Sequence, residues 1–165
     1  METKPQIEAR IEQFLSEGGF SIAGRDFEKP WGGYFVIADS DTEKFIDTFF
    51  SEEKNELGEI AGKLSPKILV VAPQLRLSWQ YHDRRAEYHK VVEGPVAYPL
   101  SDTDEETEPV TYAKGDIVRI PQGVRHRLVG LGGWGVVAEI WQHTDPSHLS
   151  DEADNHRVQD DFKRT

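Results

Sequence analysis

Ile7, Ile11, Phe14 and Leu15 recur at helical spacing and form one apolar stripe that ends at Gly18 and Gly19. The chain should therefore open with an amphipathic helix acting as a lid or a brace. A second, short helix is predicted from Ser40 to about Ser51, where Ser40 or Asp41 can cap the first turn and Phe45, Ile46, Phe49 and Phe50 share a face. The acidic run SEEKNELGE after it reads as a solvated loop.

From Ser65 the pattern changes to short β-branched and aromatic runs divided by Gly, Pro and Asp. Strands are predicted at Lys67 to Ala72, Arg76 to Tyr81, Tyr88 to Val92, Val96 to Leu100, Val110 to Tyr112, Asp116 to Ile120, His126 to Leu131 and Trp134 to Gln142. Roughly eight hairpin-linked strands at this density make a mainly β fold, a sandwich or jelly-roll barrel. SDTDEETEP reads as an exposed hairpin loop without the glycine and ligand spacing of a calcium site. The last fifteen residues, DEADNHRVQDDFKRT, are polar enough to read as a disordered tail on composition alone.

With 165 residues, 37% hydrophobic and 10% aromatic, the chain can fill one core, so a single domain is expected. A formal net charge of −11 disfavours nucleic acid and anionic lipid as partners. No run is long and apolar enough for a membrane helix, and METKPQIEAR lacks the apolar core of a signal peptide, so a soluble, cytoplasmic protein is expected. There is no cysteine, which removes disulfides, thiolate metal sites and cysteine nucleophiles. Any metal must sit on His, carboxylate or amide ligands.

Two segments supply such ligands. In LSWQYHDRRAEYHKVVEG, Gln80 and His82 lie two apart on a predicted strand and face the same way, and Glu87 begins the next strand after a turn. In GDIVRIPQGVRHRL, the chain turns at Pro121 and Gly123, and His126 opens a strand of a separate hairpin. Two imidazoles, a carboxylate and an amide oxygen suit Zn, Fe(II), Mn, Co or Ni, with positions left for water or substrate. By alternation from Glu87, His89 also faces inward, as an acid/base group, an extra ligand or a filler of space.

The spacing from Gln80 through His82 and Glu87 to Gly94, and from Gly115 through Pro121 and Gly123 to His126, matches the two cupin motifs. Together with KPWGGYFVI at Lys29 to Ile37 and RVQDDFKR at Arg157 to Arg164, the chain resembles the cupin superfamily, and within it the cupin domain of type II mannose-6-phosphate isomerases, over about residues 29 to 164. The resemblance implies a double-stranded β-helix barrel at 29–165 carrying a short inserted helix and preceded by an N-terminal helical extension at 1–28. It also implies one divalent ion inside, zinc first, with Mn, Co, Ni or Fe as alternatives, and an ordered closing strap in place of a loose tail. The chain departs from the family in having Gln74 where relatives carry glycine, His89 where they carry Trp, and Gly130 where Asn is frequent.

Most cupins have His at the first ligand position; phosphomannose isomerases commonly have Gln, His, Glu and His, as here. The resemblance thus implies aldose–ketose isomerisation of a sugar phosphate, most simply mannose 6-phosphate to fructose 6-phosphate through a cis-enediolate, with the ion on Gln80, His82, Glu87 and His126. Candidates for the base are His89, Lys90 and Glu139. Both motif segments are net basic despite the acidic total. Arg85, in the family's Arg-Ala-Glu motif, is expected to hold phosphate or enediolate, whereas Arg127 should point out of the barrel and be structural. Trp31, Trp79, Trp134 and Trp141 could stack on sugar but suit a core equally. A homodimer is expected through sheet edges and the first helix. The alternatives are a non-catalytic sugar-binding or regulatory cupin and another cupin metal enzyme, such as an Fe(II) dioxygenase.

Overall fold

A computed structural model describes residues 1–57 and 63–164. The first helix, α1 (Lys4–Glu17), begins with a capping box in which Thr3 and Gln6 satisfy each other's backbone N–H groups. It is followed by β1 (Ile22–Asp26), β2 (Gly32–Ile37), a 3₁₀ turn at Asp39–Asp41 and α2 (Thr42–Phe49). Asp41 does not cap α2, and its carboxylate accepts the Ser21 N–H at 2.7 Å instead. Part of the run expected to be a solvated loop is anchored, because α3 (Lys54–Leu57) buries Leu57 and the neighbouring Glu53. Gly58 and Glu59 of that run lie outside the described residues.

The remaining strands are β3 (Lys67–Val71), β4 (Trp79–Tyr81), β5 (Arg85–Glu93), β6 (Val96–Tyr98), β7 (Leu100–Ser101), β8 (Val110–Tyr112), β9 (Ile117–Ile120), β10 (Arg125–His126), β11 (Val129–Gly130), β12 (Gly135–His143) and β13 (His156–Gln159). The described residues thus hold thirteen strands where eight were expected. Some predicted runs are split by bends, and β1, β2 and β13 are additional. β13 belongs to the polar C-terminal stretch, which is ordered: it pairs antiparallel with β4.

All pairings are antiparallel, in sheets ordered β1-β2-β3-β12-β5-β9, β13-β4-β10-β7 and β11-β6-β8. The large sheet is buried on both faces, which explains the nearly unbroken apolar runs of β3 and β12. Its outer face, with Ile68, Val70, Tyr88, Val136, Ala138 and Ile140, packs in one cluster with Ile7, Ile11 and Leu15 of α1 and Phe45, Ile46 and Phe49 of α2. Its inner face, with Leu69, Val71, Val91, Val118, Ile120 and Val137, packs against Val96 and Tyr98 of β6 and Leu128 between β10 and β11. Covering an outer face is a brace's role, and α1 contributes nothing to the lining of the interior cavity. Among the described residues no helix is long and apolar enough to cross a membrane.

Two departures from the motif pattern have a backbone explanation. Gln74 adopts φ 62°, the left-handed conformation that glycine takes without strain. At Gly130 an added Cβ would lie 2.1 Å from the Ala72 carbonyl oxygen, so no larger residue fits.

Candidate metal centre

On β5, period-two alternation sends Arg85, Glu87 and His89 into the barrel while Ala86, Tyr88 and Lys90 take the outer face. On β12, Glu139 stands opposite His89 and Trp141 opposite Glu87. The facing sheet adds Gln80 on β4, directly paired with His126 on β10, and His82 follows just after β4. The turn before His126 places Gly123 at φ 81°. A cavity of about 160 Å³ opens between the two sheets, with Gln80, His82, Arg85, Glu87, His89, His126 and Glu139 on its wall. Seven of the eight expected site residues therefore converge. The exception is Lys90, which does not line the cavity: on β5 it falls out of phase with His89.

The centre is Glu87, 2% exposed. Its Oε2 lies 3.2 Å from His82 Nε2 and 2.8 Å from Arg85 Nε; its Oε1 lies 3.0 Å from His89 Nε2 and 3.4 Å from His126 Nε2. Burial opposes its ionisation, but His82, the Arg85 guanidinium and the hydrogen bonds from His126 and His89 outweigh that and hold its pKa well below the usual carboxylate range. His82 is pushed down to about 4, chiefly by burial, and is neutral at pH 7.

The two imidazoles beside Glu87 are oriented alike. His82 Nδ1 donates to the Asp154 carbonyl at 2.7 Å and His126 Nδ1 to the Val124 carbonyl at 2.9 Å. A carbonyl can only accept, so both rings carry a proton on Nδ1, and Nε2, the nitrogen facing the carboxylate, is the one that could ligate an ion. Two donor atoms held by one ion at about 2.0–2.1 Å and the tetrahedral angle lie roughly 3.3 Å apart. The His82 Nε2–Glu87 Oε2 and His126 Nε2–Glu87 Oε1 separations, 3.2 and 3.4 Å, are each near that value, reached at opposite oxygens of the carboxylate. His82, Glu87 and His126 could thus hold a divalent ion, with the Gln80 amide on the wall beside them.

Next to this triad, His89 Nε2 also lies 3.3 Å from Glu139 Oε1, and its Nδ1 lies 2.7 Å from the Tyr98 hydroxyl. Burial by itself lowers the His89 pKa, but the hydrogen bonds and charges of Glu139 and Glu87 reverse that and raise it to about 9. His89 is therefore an imidazolium at neutral pH in this arrangement, in contrast to the near-neutral base its sequence position suggested. Glu139 is held ionised, since the His89 and Lys67 charges outweigh burial and repulsion by Glu87. Its second oxygen accepts from Trp141 Nε1 at 3.2 Å.

Arg85 also differs from expectation. It is 5% exposed and its guanidinium lies 3.8 Å over the Trp141 ring. Besides Glu87 it donates to Ser150 Oγ at 2.9 Å and the Asp151 carbonyl at 3.0 Å. Its fork is thus engaged by the protein, orienting Glu87 and gripping the closing segment. Arg127 is fully buried off the cavity, where it donates to both Glu106 carboxylate oxygens and to Gln159, tying down the exposed acidic loop and β13. Trp79 and Trp141 are core, Trp134 donates to the Glu2 carbonyl, and Trp31 lines the cavity.

Sequence reasoning passed over the rim: Lys29, Lys67, Asn155, Arg157 and Arg164 also line the cavity. Counting Arg85, five Lys and Arg side chains face it against the three carboxylates Glu87, Glu139 and Glu152. A chain of formal charge −11 has turned a cationic wall inward. The basic count in the motif segments was the available signal, but it did not extend to Lys29, Lys67 or the closing segment.

No protein-family model and no curated protein matches the chain. Among solved structures, CapF with the inhibitor 3-isopropenyl-tropolone superposes with a TM-score of 0.55 at 14% identity, over 85% of this chain and 34% of CapF. CapF from Staphylococcus aureus, described as a capsular polysaccharide assembling protein, superposes in another crystal structure with a TM-score of 0.53 at 15% identity, over 85% of this chain and 32% of CapF. The chain spans about a third of the length of the CapF chains it matches. What is shared is architecture: the chain has the double-stranded β-helix of the cupin fold.

Proposed function

We propose that the chain is a metal-dependent aldose–ketose isomerase of phosphorylated sugars, mannose 6-phosphate to fructose 6-phosphate being the simplest case, akin to the type II mannose-6-phosphate isomerases that its motifs resemble. The observation that carries this reading is the Glu139–His89 pair set beside the His82, Glu87 and His126 donors in one buried, cation-walled cavity. Gln80, His82, Glu87 and His126 would hold a divalent ion, zinc first, which would supply polarisation of a sugar carbonyl.

The chain's own groups then have separable tasks. Glu139, ionised and buried, accepts the proton from C2 while the C2–H electron pair becomes the C1–C2 double bond and the C1=O π pair moves onto O1, giving the enediolate; the O2 proton passes to O1, and the pair left on O2 forms the C2 carbonyl as C1 is protonated. The same carboxyl returns that proton to C1, so one base serves both half-reactions. His89, cationic and in contact with Glu139, provides positive charge where oxygen charge develops. Arg85 keeps Glu87 in place, and burial excludes water that would exchange the migrating proton.

Metal-loaded protein should interconvert an aldose phosphate and its ketose phosphate, and in D₂O much of the transferred hydrogen should remain protium. Glu139→Gln should abolish turnover while metal content stays intact. Absence of isomerisation with Zn, Mn, Co, Ni and Fe(II) across a panel of sugar phosphates overturns the reading in favour of a non-catalytic sugar-binding cupin.

A further inference from the structure

The closing segment brings two arginines to the cavity from a different sheet than Arg85. On the sheet containing β13, β4 and β10, Arg157 pairs directly with Gln80, and Gln80 pairs directly with His126. Directly opposed residues of antiparallel strands project to the same face with Cβ atoms about 4.5–5.5 Å apart. Arg157 is therefore in the same row as His126, roughly 10 Å from it, with Gln80 between them. Arg164 lines the same cavity. Asp160 fixes Arg164 through two hydrogen bonds, at 2.7 and 3.1 Å. Lys29, in the loop before β2, lines the cavity as well.

Asp160 meets the charge of Arg164, and Asp26 lies 3.7 Å from Lys29 Nζ, yet the cavity wall keeps more basic than acidic side chains, which suits an anionic ligand. The row also gives the anion a place relative to the chemistry: roughly 10 Å is the reach of a short polyol with a phosphate at one end and a carbonyl at the other. Asn155 adds an independent sign. It lines the cavity, and its Oδ1 is buried with no hydrogen-bond donor among the described residues. An orphaned buried acceptor in a polar cavity awaits a donor such as a hydroxyl.

We infer that Arg157, Arg164 and Lys29 form a phosphomonoester subsite at the cavity mouth, with Asn155 receiving a hydroxyl of the same ligand, so that a linear polyol phosphate lies along β13, β4 and β10 with its reacting end at Glu87. This deepens the isomerase reading and rests on it for the reacting end. The subsite itself stands on the rim geometry. It also moves phosphate recognition from Arg85 to the closing segment.

Inorganic phosphate is the first probe. Calorimetric titration into metal-loaded protein should show saturable binding at one site per chain, weakened at least tenfold in Arg157→Ala and in Arg164→Ala, and unchanged in the surface control Arg119→Ala. Metal content should be as in the parent. For the sugar phosphate that turns over, Arg157→Ala should raise KM at least tenfold while kcat falls less than threefold. Because Arg164→Ala also loses the Asp160 contact, Arg157→Met and a thermal melt accompany it as a check on folding. Phosphate binding equal to the parent's in both arginine variants overturns the subsite, even if isomerisation is seen. Binding that sugar phosphates compete for, without turnover of any of them, overturns the isomerase reading and leaves the subsite standing.

Discussion

The main-chain oxygen of Asp154 accepts the Nδ1 proton of His82, and the side chain of the same aspartate accepts the N–H groups of Asp83 at 2.9 Å and Arg84 at 3.0 Å and the Ser150 hydroxyl at 2.7 Å. One residue of the closing segment thus orients a donor of the candidate centre and satisfies the turn that presents Arg85 and Glu87. Asp154→Ala removes three acceptor contacts at a buried position, and each donor left unsatisfied costs about 1–3 kcal/mol. The variant should unfold earlier in urea and bind zinc more weakly, by up to about 10- to 100-fold, because the carbonyl behind His82 remains but loses the three side-chain contacts that position it. Chelator competition at a temperature where the variant is folded measures the second effect; unchanged zinc affinity would show that the Asp154 side-chain contacts are not needed to hold its carbonyl against His82.

Arg85 offers a contrast between two roles. A residue that only anchored phosphate could be removed without disturbing metal binding. Because Arg85 holds Glu87 Oε2 at 2.8 Å in a dry site, Arg85→Met should lower zinc affinity at least tenfold, and breaking the buried pair should cost about 3–5 kcal/mol. Metal analysis after dialysis against a weak chelator, with the urea midpoint, reads both.

Asp161 provides the clearest acid dependence. Its carboxylate receives Arg76 Nε at 2.7 Å and Nη2 at 2.9 Å and the Gln159 amide at 3.1 Å, and Arg127 adds positive charge. Chiefly through Arg76, the pKa falls from 3.8 to about 2. A depressed folded pKa means stability that is complete above the unfolded value and is lost as pH falls towards 2. Asp161→Asn should therefore flatten the decline in urea midpoint between pH 4 and pH 2. At pH 7 it should cost at most about 1 kcal/mol, because the pair is partly exposed.

Gln74 holds a left-handed backbone where glycine is at ease. The strain of that conformation in a non-glycine residue is about 1–2 kcal/mol, offset in part by glycine's greater freedom when unfolded and by loss of the Gln74 amide contact to the Leu131 carbonyl. Gln74→Gly should raise stability by up to about 1 kcal/mol, seen as a melting temperature a few degrees higher; a lower value would show that the side-chain contact outweighs the strain.

Convergence of His82, Glu87 and His126 was legible because strand alternation and hairpin turns are short-range rules, and the helical stripe of α1 was legible for the same reason. What escaped depends on contacts distant in sequence. β1, reading Ile-Ala-Gly-Arg-Asp, has the weak alternation of a strand that buries little. The closing segment reads as a tail because its polar groups bind turn N–H groups, Arg85 and the cavity rim in place of an apolar core. Lys90 was within reach of the alternation rule, which already separates it from His89. Arg85 was not, since its partners Ser150 and Asp151 lie 65 and 66 positions away.

That long reach bears on synthesis. His82 and the carbonyl that orients it are 72 positions apart. At about 5–20 residues per second, the histidine is made roughly 4–14 s before its partner. Throughout that interval the imidazole can carry its proton on either nitrogen and swing freely, so an ion captured early meets a floppy, incomplete set of donors. The donors reach their final arrangement only after the closing segment docks, so an ion held by them would be loaded late in the making of each new chain.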